Sequence, residues 1–267
     1  MSISGYHGKF LEVDLSREKI WETSFDEDIL KHYVGGRGLA VKILWDRLGK
    51  DWQKIDPLSP ENLLIVATGP LTGYYPGGRT GISGKSAQSN GIIGSTVGGE
   101  SGVELRCAGY DGIIISGAAK DPVYLFIKDD DVEIRGASHV WGLDGKQTLL
   151  KLTKECRDDL NRKYPRFGVW RGPAILYIGP AGENRSRVAV IMEKWTHAAG
   201  YGGYGGVMGS KNLKAIVIKG SGPLPDPYDP LRMHHVLQRT YAACFKRFSM
   251  RYWGTGSSGY TVGANLS

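Results

Sequence analysis

Three cysteines in 267 residues, none within ligand spacing of another, leave no C-x-x-C pair and no zinc or iron–sulfur signature in this chain. Cys107, Cys156 and Cys244 are expected to be buried free thiols. No apolar run approaches the roughly 20 residues that span a bilayer. The opening MSISGYHGKFLEVD carries no hydrophobic leader, so the expected compartment is the cytoplasm. A collagen period, a Gly/Ser tract and a block of basic residues are also missing. Lys and Arg outnumber Asp and Glu by 34 to 27, giving a formal charge of +7 and a pI near 9.2. Because the cations are spread singly, no nucleic-acid-binding arm is expected; a basic surface or an anionic, phosphate-bearing ligand accounts for the balance.

What remains is a globular composition, 41% apolar and 23% charged, with enough apolar mass for a sizeable core. Glycine is the exception: 39 of 267 residues, about twice the ordinary share. Lys9 to Leu15 and Ile20 to Phe25 alternate apolar and polar around Ser16-Arg17-Glu18-Lys19, which predicts a β-hairpin. Asp26 to Leu48 has helical spacing, with a break or bend at Gly35-Gly36. Buried strands are expected at Leu63 to Thr68, Gly112 to Ser116, Ala174 to Ile178, Arg187 to Met192 and Leu213 to Ile218. Val123 to Ile127 and Val132 to Arg135 predict a second hairpin, and Leu143 to Leu160 an amphipathic helix. The prolines of GSGPLPDPYDP forbid regular structure. The expected organisation is therefore an α+β domain over residues 1–220, a linker over 221–230, and over 231–267 the first helix of a truncated helical domain, ending in a stretch (WGTGSSGYTVGANLS) that settles into no element.

Two passages share an order of parts. Leu63 to Gly117 and Ala174 to Gly220 each begin with a buried strand running into Gly-Pro and a further glycine (LLIVATGPLTG, AILYIGPAG). Each continues with a strand carrying an early Arg, a glycine cluster (GSTVGGESG, HAAGYGGYGG), a short helix-like piece and a strand closed by glycine. This order predicts an internal duplication about a pseudo-two-fold axis, with the equivalent glycine clusters facing one shared ligand or two alike.

Gly200-x-Gly202-x-x-Gly205 matches the dinucleotide fingerprint literally, but Gly206 to Asn212 leaves no room for the required helix, and the next strand ends in Lys219-Gly220 rather than an acid. Arg79 to Ser86 nearly matches a phosphate-binding loop, with its first glycine one place early and a turn where a helix should follow. The simpler reading is bare backbone beside one arginine: Gly77-Gly78-Arg79, Gly98-Gly99 and Gly200 to Gly206 suit close approach to phosphate or a flat heterocycle, with Arg79 as a permanent bidentate cation. The competing reading assigns these glycines to tight turns and packing. His197, just before the richest cluster, reads as ligand-contacting or structural; His234 and His235 read as solvated.

The motifs TGPLTG…GGR, VGGESGVELRCAGYDGIIISG, GPAGEN and HAAGYGGYGGVMGSKNLKAIVIKG, with KFLEVDLS, GGRGLA, PLSPENLLI and PVYLFIKDDDVEIRGASHVWG, resemble the N-terminal domain of tungsten-containing aldehyde:ferredoxin oxidoreductases from about Gly8 to Gly220. The resemblance implies a duplicated two-sheet α+β base for a bis-pterin tungsten (or molybdenum) cofactor, with the metal on dithiolene sulfurs and a magnesium between the phosphates. It implies an oxidoreductase converting aldehydes to carboxylates with ferredoxin, or another electron-transfer protein, as acceptor. The [4Fe–4S] cysteines would lie in a missing C-terminal part or separate subunit; a homo-oligomer is compatible with it, and neither nucleic acid nor a membrane span is expected. By motif position, cofactor contacts fall on Arg79, Thr96, Gly98, His197, Ala198, Ala199 and Gly200; catalytic residues and protein metal ligands are not assigned. Thr96 stands where well-known members have Asn, and His197 and Tyr201 where they have Arg, which points to a divergent branch. A non-catalytic cofactor-binding or partner-docking module is the alternative.

Overall fold

The computed structural model describes residues 3–74, 78–246 and 248–254. Gly77 of the expected Gly-Gly-Arg loop, and 255–267 of the expected final stretch, lie outside the described residues. The first half runs β1 (Lys9–Asp14), β2 (Lys19–Ser24), α1 (Glu27–Tyr33), α2 (Gly36–Leu48), β3 (Leu64–Ala67), β4 (Thr80–Lys85), β5 (Ile92–Val97), α3 (Ser101–Cys107) and β6 (Gly112–Ser116). The second runs β7 (Val123–Lys128), β8 (Asp131–Gly136), α4 (Gly145–Lys163), β9 (Ala174–Tyr177), α5 (Pro180–Glu183), β10 (Ile191–Glu193), β11 (His197–Ala199), α6 (Tyr204–Ser210) and β12 (Leu213–Lys219).

The two six-stranded sheets have orders β2-β1-β6-β3-β4-β5 and β8-β7-β12-β9-β10-β11, so each strand of the second is the counterpart of the strand six places earlier. Pairing sense agrees throughout: β1 with β6 and β7 with β12 are parallel, and the other neighbours are antiparallel. The duplication is thus larger than the two sequence passages suggest. It takes in both hairpins, whose alternation at first looks like generic edge structure.

The strands of the sheet centres are continuous apolar runs because both of their faces are covered. Leu64, Val66, Ile113 and Ile115 meet Leu176, Ile178, Ile216 and Ile218 in the core between the sheets. The alternate residues Ile65, Ala67 and Ile114 pack under α1 and α2. Likewise Ile175, Tyr177, Ala215 and Val217 pack under α4. Asp144 starts α4 by accepting from the Gln147 amide at 2.7 Å. The expected break between α1 and α2 falls at Gly35, where φ is +135° and a Cβ would lie 2.6 Å from the Thr68 carbonyl oxygen; only glycine lets the helix junction press on the exit of β3.

Two expectations are corrected. The strand over Arg187 to Met192 reduces to Ile191–Glu193, because residues 186–190 form a turn whose carbonyls face α6: Gly205 N–H donates to Ala189 O at 3.0 Å. Of the cysteines only Cys156 is buried; Cys107 is half-buried and Cys244 exposed. The segment 221–229 is irregular, and it touches the preceding domain: Asp226 O accepts from Gly5 N–H at 2.9 Å, and Pro225 O accepts from the Tyr74 hydroxyl. Beyond it lie α7 (Pro230–Lys246), with no buried residue, and α8 (Phe248–Trp253). Among the described residues no helix is long and apolar enough to cross a membrane.

Buried lysines tie irregular backbone together. Lys85 Nζ donates to the carbonyls of Trp52, Gln53 and Ile55 at 3.0, 2.8 and 2.5 Å. Lys211, just after α6, donates to Asn62, Gly117 and Pro60 at 2.6, 2.9 and 3.3 Å, all in the first repeat. Lys211→Met leaves those carbonyls without their donor and is expected to cost about 3 kcal/mol, read as a lower urea midpoint at unchanged slope; an unmoved midpoint contradicts the role.

Candidate functional site

The free-edge strands β5 and β11 are counterparts, and they lie against each other. Where they meet, a cleft of about 510 Å³ opens, lined by Gly73, Gly78, Arg79, Gly98, Gly99 and Val103 of the first repeat and Thr196, His197 and Ala198 of the second. Among the described residues no carboxylate lines it, and Arg79 and His197 are the basic side chains in its lining. Arg79 is exposed at the entry to β4, with Nη1 3.4 Å from Thr96 Oγ1 on β5. That is a long contact, and the fork of the guanidinium stays available for an anion.

Gly98 and Gly99 are bare for different partners. A Cβ on Gly98 would lie 3.0 Å from His197 Nδ1. Gly99 has φ +110°, and a Cβ there would lie 2.4 Å from the carboxyl carbon of Glu193. His197 and Glu193 face each other across β11 and β10, so one turn of the second repeat supplies both side chains. Glu193 is wholly buried. It accepts from Ser101 N–H at 2.8 Å and Ser101 Oγ–H at 2.5 Å, and from the Glu100 amide. Burial pushes its carboxyl above the usual carboxylate range, against the pull of these donors and of Lys194. Ser101 Oγ in turn lies 3.1 Å from Thr80 Oγ1, the residue after Arg79.

Of the residues assigned by motif position, Arg79, Gly98, His197 and Ala198 line the cleft, and Thr96 stands behind Arg79. Ala199 points into the core between the sheets, and Gly200 faces open space outside the cleft. The expectation that both glycine clusters face the ligand is corrected. Gly203, Gly205 and Gly206 are consumed by packing: Cβ atoms there would lie 2.1 Å from Arg187 O, 2.5 Å from Val190 O and 2.5 Å from Ser186 O. The dinucleotide fingerprint and the phosphate-loop match both dissolve, since α6 has seven residues and Thr80–Lys85 is a central strand. Tyr201, at the fingerprint's second position, donates its N–H to Ser95 Oγ at 3.3 Å. Sequence reasoning missed Glu193, Ser101 and Thr80; nothing local marks an acid at a strand end as the partner of a glycine nearly a hundred residues earlier.

Among the described residues no group of three or more His, Cys, Asp or Glu side chains is placed to hold a metal ion. The residues present do fit a flat, phosphate-bearing group: bare backbone at Gly78, Gly98 and Gly99, an uncommitted guanidinium and an imidazole. The two kinds of glycine separate cleanly in a stability measurement. Gly99→Ala is expected to cost about 2–4 kcal/mol through backbone strain and collision with Glu193, whereas Gly200→Ala stays within about 0.5 kcal/mol of the parent; equal midpoints in urea would overturn the packing assignment.

A family model described as "Aldehyde ferredoxin oxidoreductase, N-terminal domain" matches residues 10–220. An aliphatic sulfonate oxidoreductase, WOR-like subunit, of Pyrococcus furiosus is 54% identical over 98% of this chain and 42% of its own length. A tungsten-containing aldehyde ferredoxin oxidoreductase of the same organism is 43% identical over 83% of this chain and 34% of its own. Among solved structures, the active site complex BamBC of benzoyl coenzyme A reductase with 1,5-dienoyl-CoA superposes with a TM-score of 0.81 at 36% identity, covering 91% of this chain and 35% of that one. This chain therefore spans about two fifths or less of the relatives it matches. With the doubled sheet, the converging loops and the family match over more than two hundred consecutive residues, the chain belongs to the aldehyde ferredoxin oxidoreductase family as its N-terminal domain.

Proposed function

We propose that this chain is the pterin-binding part of a tungsten-dependent cytoplasmic oxidoreductase that converts aldehydes to carboxylates. Water supplies the added oxygen, and two electrons leave to ferredoxin or a similar protein. The observation that carries the proposal is the cleft shared by the two repeats, whose described lining holds no carboxylate and has Arg79 at its mouth. When bound, a bis-pterin tungsten centre with its magnesium would supply the two-electron chemistry. This chain's own residues bind and orient. The Arg79 guanidinium, in only a long contact with Thr96 on β5, would pair with a phosphate. The bare peptides at Gly98 and Gly99 admit a ring edge, and His197 offers an imidazole beside them. Among the described residues the lining contains no acid for proton transfer to substrate. Proton-transfer groups, with the [4Fe–4S] cluster, are assigned to a C-terminal part or second subunit.

A second reading concerns substrate class. The relative at 54% identity over nearly the whole chain is named for aliphatic sulfonates and as a subunit, which favours a sulfonate-related substrate and a multi-subunit assembly. Thr96, His197 and Tyr201, in place of the residues of well-known members, fit such a branch. Turnover of an aliphatic aldehyde against an aliphatic sulfonate by the assembled enzyme separates the two readings.

The test is metal and pterin analysis of this chain co-expressed with the C-terminal part of a full-length relative. Tungsten or molybdenum with pterin fluorescence supports the proposal; the absence of all three overturns it, and cofactor bound without turnover of either substrate returns the non-catalytic module. Arg79→Ala is expected to lower cofactor occupancy roughly ten- to hundredfold, the worth of one charge-assisted pair at about 1.5–3 kcal/mol. The melting temperature of the cofactor-free form should stay put, since Arg79 is exposed.

A further inference from the structure

We infer that Glu193 is a positioning residue for the cofactor cleft, a buried group that holds its three loops in mutual register. The inference rests on the cofactor-binding reading above for its consequence, and on geometry alone for its mechanism. Glu193 ends β10, wholly buried, and its two oxygens bind only the first repeat's helix start: Oε1 takes the amides of Glu100 and Ser101, and Oε2 takes the Ser101 hydroxyl. Among the described residues it forms no ion pair with N···O within 4.0 Å, and its two oxygens are met instead by hydrogen-bond donors of the first repeat.

Three consequences converge on the cleft. The amides of Glu100 and Ser101 directly follow Gly98-Gly99, so the carboxylate fixes where that peptide presents itself; Gly99 must be glycine to let it in. His197 stands opposite Glu193 across the β10–β11 pair and packs on Gly98, so the same strand end sets the imidazole. The Ser101 hydroxyl, committed to Glu193, reaches Thr80 Oγ1, whose backbone carries Arg79 into β4. A buried carboxylate with good donors on both oxygens is costly to disturb, because removing it strands two amides and a hydroxyl away from water. Arginine, glycine loop and histidine thus share one internal anchor that touches no ligand itself.

Two substitutions and two readouts test this. Glu193→Gln keeps the shape: its oxygen still accepts both amides, and its NH2 donates to Ser101 Oγ, which then turns its own hydrogen to Thr80. Glu193→Ala removes every acceptor. In the cofactor-free chain the Glu100 and Ser101 amide protons should resonate downfield, stay within a few tenths of a ppm in Glu193→Gln, and move upfield in Glu193→Ala. In protein co-expressed with a relative's C-terminal part, tungsten and pterin per chain should be near parental in Glu193→Gln and at least tenfold lower in Glu193→Ala. Where Glu193→Ala does not fold, Ser101→Ala replaces it, removing the hydroxyl that joins Glu193 Oε2 to Thr80 Oγ1 while the Ser101 amide still donates to Oε1, with a several-fold loss expected. Parental occupancy in both disruptive variants, or equal loss in Glu193→Gln and Glu193→Ala, overturns the inference. So do unshifted amides in the parent. A parent that shows the shifted amides yet holds no metal or pterin overturns the cofactor reading and leaves the anchoring geometry standing.

Discussion

Two consecutive positions without side chains decide how closely the halves of this domain approach. At Gly98 and Gly99 the first repeat presents bare backbone, and into that space the β10–β11 turn of the second repeat places an imidazole and a carboxylate. A methyl group at Gly99 would collide with the carboxylate, and one at Gly98 would press on the imidazole at 3.0 Å. The carboxylate is the demanding guest, since desolvating it costs several kcal/mol, offset here by two amides and a hydroxyl. The cleft opens where this contact holds the edge strands β5 and β11 side by side.

Duplication explains the scaffold, and its breakdown explains the site. The sheets repeat strand for strand, with the same parallel and antiparallel neighbours. At the cleft the copies diverge. The first contributes glycine backbone and Arg79; the second contributes Thr196, His197 and Ala198, while its own glycines are absorbed in seating α6 against residues 185–190. A pair of copies with equal loops could not interlock this way, because one side must supply the space that the other fills. The buried lysines belong to the same logic: Lys211 reaches from the second repeat to three carbonyls of the first, closing the domain away from the cleft.

Much of the fold was legible in the order of residues. Continuous apolar runs such as Leu64 to Ala67 and Leu213 to Ile218 announce strands covered on both faces, and the core clusters above and below each sheet are the cause. The repeated Gly-Pro and glycine-cluster order marked the duplication. The hairpins escaped it, because β1-β2 and β7-β8 share pairing but no motif. The strand expected from Arg187 failed because its backbone groups serve α6 instead of a neighbouring strand. In the site, Arg79, Gly98, His197, Ala198, Ala199 and Gly200 were named by motif position, and Arg79 and Gly98 also for the cation and the bare backbone beside it. The last residue of β11, Ala199, is buried in the core instead.

What the sequence determined by itself is local and periodic: which segments form strands and helices, that the pattern occurs twice, and that glycine is concentrated at recurring places. These follow from interactions between residues close along the chain, or from burial that any covered sheet would demand. The tertiary structure alone decided which glycines face a cleft and which face a carbonyl, and that a glutamate at the end of β10 completes a loop more than ninety residues away. Such pairings depend on the distance between two backbones, a quantity that exists only once the sheets have packed.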